Sequence, residues 1–543
     1  MVFARRSTTL LAAIIASCAM VLSLTACTSD NKTVVDGQTT VTSNSAGGVA
    51  VFTPSDGITL NQQTPLNKWA KLVPDLTKAL VDAGFKKGDI DHTTSDSLAK
   101  QSRAIQDFVV DHLSNNTTDD SGIAIAPDNM TLLVAPVVEA DASTRQYGDY
   151  VSQNLSTNDA TDGEATSDGE SSEDDSSKDD SSNTESDSTA SDEQAQAVDR
   201  LVSSLKLAKE SGMHVVLLGN SIEGYKPDAF VKFSDAQTIG KLQAEKMVSK
   251  LKLDKASKDN PKYIEVLLPY TAMDEKGNAN DSTFAQEAFR GIWQVLGSYY
   301  QKGVVESPSG TLDGKSTEND WQAVAYDAAK EGSTAKVLDK RLAKTDGQST
   351  LTRIDGIITM NDYIASEVVK ELDDLGYTGS AADINPQITI SGIVGNITGK
   401  KDLSRDAVPD PIKSPENDNA NDSSSSDDDA DEDTSASDKD RDSQWPLVTG
   451  YGAYVSNIPS IVNGKQWMTG MEDRQTIATD IAQACAKLNK DEALNSMPSI
   501  RSSEVGGVKK IPTISEPLLA VSASNLKSAL IDPGYISLAD AGL

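Results

Sequence analysis

Short apolar runs alternate with amphipathic stretches along most of this chain. Runs of strand length stand at Val49–Thr53, Thr131–Val138, His214–Leu218, Ile264–Leu268, Ile354–Thr359, Gln387–Ile390 and Pro446–Thr449. Between them, apolar residues recur at helical spacing: Trp69, Leu72, Val73, Leu76, Leu80 and Val81 before Gly84; Val198, Leu201, Val202, Leu205 and Ala208 before Gly212. The same pattern holds for Phe284, Ala288, Ile292 and Val295, and for Ile364, Val368, Leu372 and Leu375 before Gly376. Strands that are apolar without alternation suit a parallel sheet covered on both faces. Alternation with helices predicts right-handed βαβ units. There are too many units for one small sheet, so the pattern predicts an α/β fold of two Rossmann-like lobes with parallel sheets. Ligands of such sheets bind at the carboxyl ends of the strands.

Two stretches break the pattern. Residues 155–194 hold 14 acidic residues and one Lys, and residues 412–444 hold 12 acidic and three basic residues, with no apolar periodicity in either. Neither can bury enough apolar surface to offset the entropy of ordering, so both are expected to be disordered inserts. They lack the Asp-x-Asp-x-Asp-Gly spacing of a calcium loop. They also account for most of the net charge of −33 over 543 residues. That acidic balance argues against a nucleic-acid partner, which needs a basic face. Three cysteines and three scattered histidines exclude a disulfide framework and leave little for a metal site.

The N-terminus reads as an export signal. Arg5 and Arg6 precede a short apolar run, Leu10 to Leu22, and the segment ends Leu24-Thr25-Ala26-Cys27. The run is shorter than the ~20 residues that span a bilayer. Leu-Thr-Ala-Cys resembles a bacterial lipobox, which implies cleavage before Cys27 and its lipidation; two or more acyl chains make a stable anchor. Cys485, in a helical run, reads as a small buried apolar residue. The expected organisation is a signal peptide over 1–26, a tether over 27–47, a first lobe over 48–235 and mainly second lobe over 236–375. The second lobe is expected to continue over 376–511, with a C-terminal return segment over 512–543.

Six stretches in this order resemble type I periplasmic binding proteins, the branch serving sugar ABC importers: residues 61–69, 132–141, 199–220, 231–248, 354–377 and 512–537. The resemblance implies a ligand cleft between two lobes, with Trp69 near the ligand and Asn361 and Asp362 contacting its hydroxyls. Asn220, Asp281 and Tyr451, at or just after strand ends, join them as candidate ligand residues. Each has a plainer alternative. Trp69 is also in phase with its helix, and Asn361 and Asp362 are also good helix caps. Trp445 and Trp467 read as packing residues. The sequence departs from the sugar branch where Gly219-Asn220 replaces Asp-Arg, Tyr451-Gly452 replaces Gln-Asp and Glu472 replaces a Lys. These changes alter the polar inventory on which sugar specificity rests.

Enzyme signatures fail. Residues 219–224 are not Gly-x-Ser-x-Gly, residues 392–401 lack P-loop spacing, and no Gly-x-Gly-x-x-Gly opens a helix after a strand. No cofactor is expected. The expectation is a lipid-anchored binding protein on the extracytoplasmic face of the cell membrane. It would capture a sugar or similar small polar solute by closure of two lobes, with an ABC permease as partner. The alternative is a ligand-sensing or surface-interaction lipoprotein that keeps the fold without transport.

Overall fold

The computed structural model describes residues 34–35, 38–39, 46–55, 65–115, 125–138, 142–156, 185–273, 280–343, 351–381 and 445–543. The signal peptide, Cys27, the run Gln387–Ile390, the insert over 412–444 and most of that over 155–194 lie outside them. The chain divides into two units, 1–45 and 46–543. In the first, β1 (Val34–Val35) pairs antiparallel with β2 (Gln38–Thr39).

The second unit is built on two large sheets. One has seven strands in the order β17 (Ile500–Val505), β18 (Val508–Ser515), β9 (Ala229–Lys232), β7 (His214–Leu218), β5 (Met130–Val134), β3 (Gly48–Pro54) and β4 (Ile90–Ser95). The other has six: β12 (Val305–Glu306), β10 (Lys262–Val266), β14 (Gly356–Ile358), β15 (Leu447–Tyr451), β16 (Met468–Met471) and β19 (Leu519–Ser522). Every pairing is parallel except β17 with β18 and β16 with β19. Two short parallel pairs extend the strand ends: β6 (Asn154–Leu155) with β8 (Ser221–Ile222), and β11 (Leu268–Pro269) with β13 (Ala325–Tyr326).

Helices cover both faces of each sheet, as the unbroken apolar strands require. In the first lobe, α1 (Trp69–Asp82) lies on one face, and α2 (Leu98–Asn115) and α4 (Glu185–Glu210) on the other, while the short α3 (Ala142–Arg145) follows β5. In the second lobe, α5 (Ala236–Leu251) and α6 (Thr283–Gln301) cover one face, with α7 (Trp321–Val324) against α6. The other face carries α8 (Ser333–Arg341) and α9 (Asp362–Leu375), and α10 (Ile458–Val462) packs with the C-terminal residues. The α5–α6 contact runs backbone against backbone, because a Cβ on Gly291 would lie 2.0 Å from the Gln237 carbonyl oxygen.

Two boundaries differ from expectation. Residues 474–511 were expected in the second lobe. Instead α11 (Arg474–Leu488) lies along α1, where Ile477, Ile481 and Cys485 join Leu72, Leu76 and Leu80 in one core, and β17 and β18 complete the first sheet. An apolar stripe fixes that a helix packs, not which sheet it packs on. The first insert was expected to run to 194, but α4 begins at Glu185. Acidic residues at Glu185 and Asp187 favour a helix N-terminus, and good helix formers follow from Glu193 to Ala197.

Asn489 ties the end of α11 to the first sheet. Its side-chain amide donates to the carbonyls of Ala46 (3.0 Å) and Gly48 (3.1 Å), and its oxygen accepts from the Thr131 hydroxyl at 2.6 Å. All of this is buried. Asn489→Ala is expected to cost about 2–3 kcal/mol, because it leaves buried groups unpaired. Urea denaturation reads this as a lower midpoint at unchanged slope.

Candidate functional site

Among the described residues, the chain passes between the sheets three times: after β9 at 233–235, after β16 at 472–473, and from β18 to β19 at 516–518. The carboxyl ends of the central parallel strands lead into these passages and into the loops around them.

The sequence-predicted site residues are brought to this region, except Asp281. Trp69 is 2% exposed, and its ring meets Tyr150 at 5.1 Å and Phe233 at 5.7 Å, both edge-on. The Asn220 amide donates to the Pro136 carbonyl, and its oxygen accepts from the Gln153 backbone, both at 2.9 Å. Asn361 caps α9, accepting from the Ile364 backbone N–H at 2.9 Å. Asp362 turns inward. One carboxylate oxygen accepts from Gln466 Nε2 (2.7 Å); the other accepts from Thr469 Oγ1 (2.8 Å) and the Tyr454 backbone N–H (2.9 Å). Burial pushes its pKa up to about 6 against those hydrogen bonds. Tyr451 is fully buried, its hydroxyl 2.5 Å from Ser234 Oγ. Asp281 is exposed and accepts from the Thr283 backbone and hydroxyl at the start of α6. The polar groups of Asn220, Asn361 and Asp362 are thus engaged by the chain itself.

Glu472 holds two of the passages together. Its Oε1 accepts from the Ser234 backbone N–H at 2.6 Å and from the Tyr451 hydroxyl at 3.4 Å. Its own backbone N–H donates to Asn67 Oδ1 at 3.3 Å. Burial pushes the Glu472 carboxyl up to about 7; the Ser234 bonds oppose this and the charge of Asp235 adds to it. The amide nitrogen of Asn67, 1% exposed, has no hydrogen-bond partner among the described residues.

A cavity of about 610 Å³ opens beside the ends of β11 and β13. Tyr270, Trp321 and Tyr326 form its apolar wall, with Gln322, Asp327 and Lys330 as polar lining and Met273 at its edge. The rings of Tyr270 and Trp321 meet edge-on at 5.1 Å. Tyr270 is fixed by its hydroxyl, which donates to the Asn280 carbonyl at 3.1 Å, and Tyr326 by a 3.1 Å bond to Thr334 Oγ1. Asp327 accepts from the Thr271 hydroxyl (3.1 Å) and the Ala329 backbone (3.1 Å) and pairs with Lys330 (3.3 Å). Burial opposes its ionisation, but these partners prevail and hold its pKa below the ordinary value. Fixed aromatic faces beside a carboxylate, an ammonium and a free-standing amide suit a ligand with both hydroxyls and C–H faces.

Sequence reasoning missed this cavity. One signal was available: Trp321 is the sole apolar residue in the polar stretch from Asp313 to Gln322. Cys485, expected to be a small buried residue, is fully buried, and burial raises its thiol pKa. Trp445 and Trp467 are buried as packing residues; Trp445 also donates to the Lys465 carbonyl at 2.7 Å. No helix among the described residues is long and apolar enough to cross a membrane.

No family model matches the chain, and no curated protein matches it. Solved structures do. An ABC transporter solute-binding protein from Clostridium phytofermentans with bound beta-D-glucose is 17% identical, covering 91% of this chain and 99% of its own, at a TM-score of 0.45. A carbohydrate transporter solute-binding protein from Chloroflexus aurantiacus in complex with D-glucose is 18% identical, covering 92% and 98%, at 0.43. A periplasmic ribose ABC transporter from Conexibacter woesei is 13% identical, covering 90% and 96%, at 0.42.

Proposed function

We propose that this chain is a lipid-anchored extracytoplasmic binding protein that captures a small polar solute of the sugar class and delivers it to an ABC permease. The observation that carries the reading is the aromatic cavity at the strand ends of the second lobe. Trp321 and Tyr270 offer apolar faces to sugar C–H groups, and Asp327, Gln322 and Lys330 pair with hydroxyls. Such polar groups around an apolar wall fix the orientation of a ligand and contribute to its specificity. Trp69, Asn220, Asn361, Asp362 and Tyr451 act mainly by shaping the strand ends in this state, while Asp281 bonds Thr283 at the start of α6. The chain acts by binding rather than by turnover. The export-signal pattern and Cys27 in its lipobox-like end support a site on the outer face of the membrane.

A thermal-shift screen of the purified protein against monosaccharides, oligosaccharides, polyols and nucleosides tests the reading. A true ligand at a hundredfold excess over its dissociation constant stabilises the folded state by about 2.7 kcal/mol. The shift is expected to disappear in Trp321→Ala and to shrink in Gln322→Ala and Lys330→Ala, which alter the polar lining. Mass spectrometry of the membrane fraction is expected to find a chain beginning at an acylated Cys27, and Cys27→Ser is expected to release the protein from the membrane.

A second reading, a sensing or surface-interaction lipoprotein, draws on one observation: the polar side chains at the strand ends are bonded to the protein itself. A flat response across the whole panel would select it.

A further inference from the structure

We propose that residues 144–151 are a built-in latch that holds the two lobes together with no solute present. This segment leaves β5 of the first lobe and lies between the lobes. On the second-lobe side, the Tyr147 ring packs on Phe284 at 4.7 Å and faces Tyr451 at 6.3 Å, and Tyr147 is 1% exposed. Gln146 is gripped twice: its carbonyl accepts from the Tyr454 hydroxyl at 2.8 Å, and its side-chain oxygen accepts from Asn361 Nδ2 at 3.1 Å. Both donors sit at carboxyl ends of second-lobe strands.

The same segment is anchored to the first lobe. Asp149 pairs with Lys68 Nζ at 2.9 Å and accepts from the Trp69 backbone N–H at 3.1 Å, at the start of α1. Its own N–H donates to the Asn67 carbonyl at 2.8 Å. The Tyr150 ring stacks on Phe233 at 4.8 Å, and its hydroxyl donates to the Lys68 carbonyl at 2.5 Å. Gly148 makes the reversal between the two halves possible. Its φ is +97°, and a Cβ there would lie 2.6 Å from the Asn67 carbonyl oxygen.

The grips therefore divide by residue: 146 and 147 hold the second lobe, and 149 and 150 hold the first. A segment that only filled space in one lobe would not bond both. Beside it, the Leu66 N–H donates across to the Gly452 carbonyl at 2.9 Å, so this amide reports whether the lobes are together. Among the described residues the Asn67 amide nitrogen in the same seam has no hydrogen-bond partner, so closing the latch carries a cost that opening would relieve by returning that donor to water. The latch stands on contacts within the chain and does not depend on the solute reading above.

Hydrogen exchange of the full chain without solute, resolved by residue, tests it. In the wild type, the Leu66 and Asp149 amides are expected to be protected. Gly148→Ala and Tyr147→Ala are expected to speed exchange at Leu66 by about tenfold or more, while amides in β5 and β14 keep their protection. Gln146→Ala, a change at a half-buried position, keeps the test readable if either of those variants fails to fold. It is expected to speed Leu66 exchange as well, by a smaller factor. Unprotected Leu66 and Asp149 in the wild type would overturn the latch. So would a folded variant with unchanged Leu66 exchange, or a loss of protection that spread evenly through β5 and β14. Adding sugar leaves these outcomes distinct from a failure of the solute reading, because none of them uses a ligand.

Discussion

Asp362→Ala is expected to destabilise the protein by about 4 kcal/mol, because three buried donors lose their shared acceptor at once. Those donors are the Tyr454 N–H, Gln466 Nε2 and Thr469 Oγ1, all within 2.9 Å of the carboxylate. The carboxylate is closely packed. Gly450 lies against the carboxylate, and a Cβ there would come within 2.2 Å of Oδ1 and 2.8 Å of Gln466 Nε2. Gly450→Ala is therefore expected to do comparable damage from the opposite side. Asp362→Asn keeps one acceptor oxygen but sets an NH₂ against a donor, so an intermediate loss is expected. Urea denaturation separates the three by midpoint at constant slope. An Asp362→Ala variant within about 1 kcal/mol of wild type would mean that the cluster is idle in stability terms.

That carboxylate also shows where the sequence stops being legible. Asn361-Asp362 before an apolar helical run announces a helix start, and Asn361 is the cap, with Gly376 closing α9 at φ +92°. The inward turn of Asp362 depends on Gln466 and Thr469, more than a hundred residues away, and nothing local encodes it. The same division runs through the fold. β5 and β7 are readable as unbroken apolar runs because both faces of the sheet are covered. The return of α11 to the first lobe is not readable, because its stripe would suit either core. Tyr147 sits in a polar stretch that reads as loop, yet its ring partners, Phe284 and Tyr451, come from distant parts of the chain. Trp69 had two roles open in the sequence, and its ring packs in the core with Tyr150 and Phe233.

Raising the pH from 4 to 8 is expected to weaken the fold through two buried acids, Glu472 and Asp362. The Glu472 pKa, about 4.3 in an unfolded chain, rises to about 7 by burial. The native state therefore holds a proton that the unfolded state releases. Its contribution is full below the unfolded value and is lost as pH climbs through about 7. The shift corresponds to about 4 kcal/mol. Asp362, raised to about 6, loses its share over a lower window, between about 4 and 6. Glu472→Gln separates the two. A glutamine oxygen can accept from the Ser234 N–H and the Tyr451 hydroxyl as Oε1 does, and it carries no charge beside Asp235. The variant is expected to be more stable than wild type at pH 8 by about 2 kcal/mol and to show a flat profile between pH 6 and 8. Below pH 6 its slope should be about half that of the wild type, because only Asp362 is left to titrate. Urea midpoints at pH 4.5, 6 and 8 decide the matter: parallel profiles for the two proteins above pH 6 would show that Glu472 does not titrate in this range. Because Glu472 joins the passage at 233–235 to the one at 472–473, its ionisation loads this junction between the sheets, and the wild type should also lose protection at the Leu66 amide as pH rises from 6 to 8.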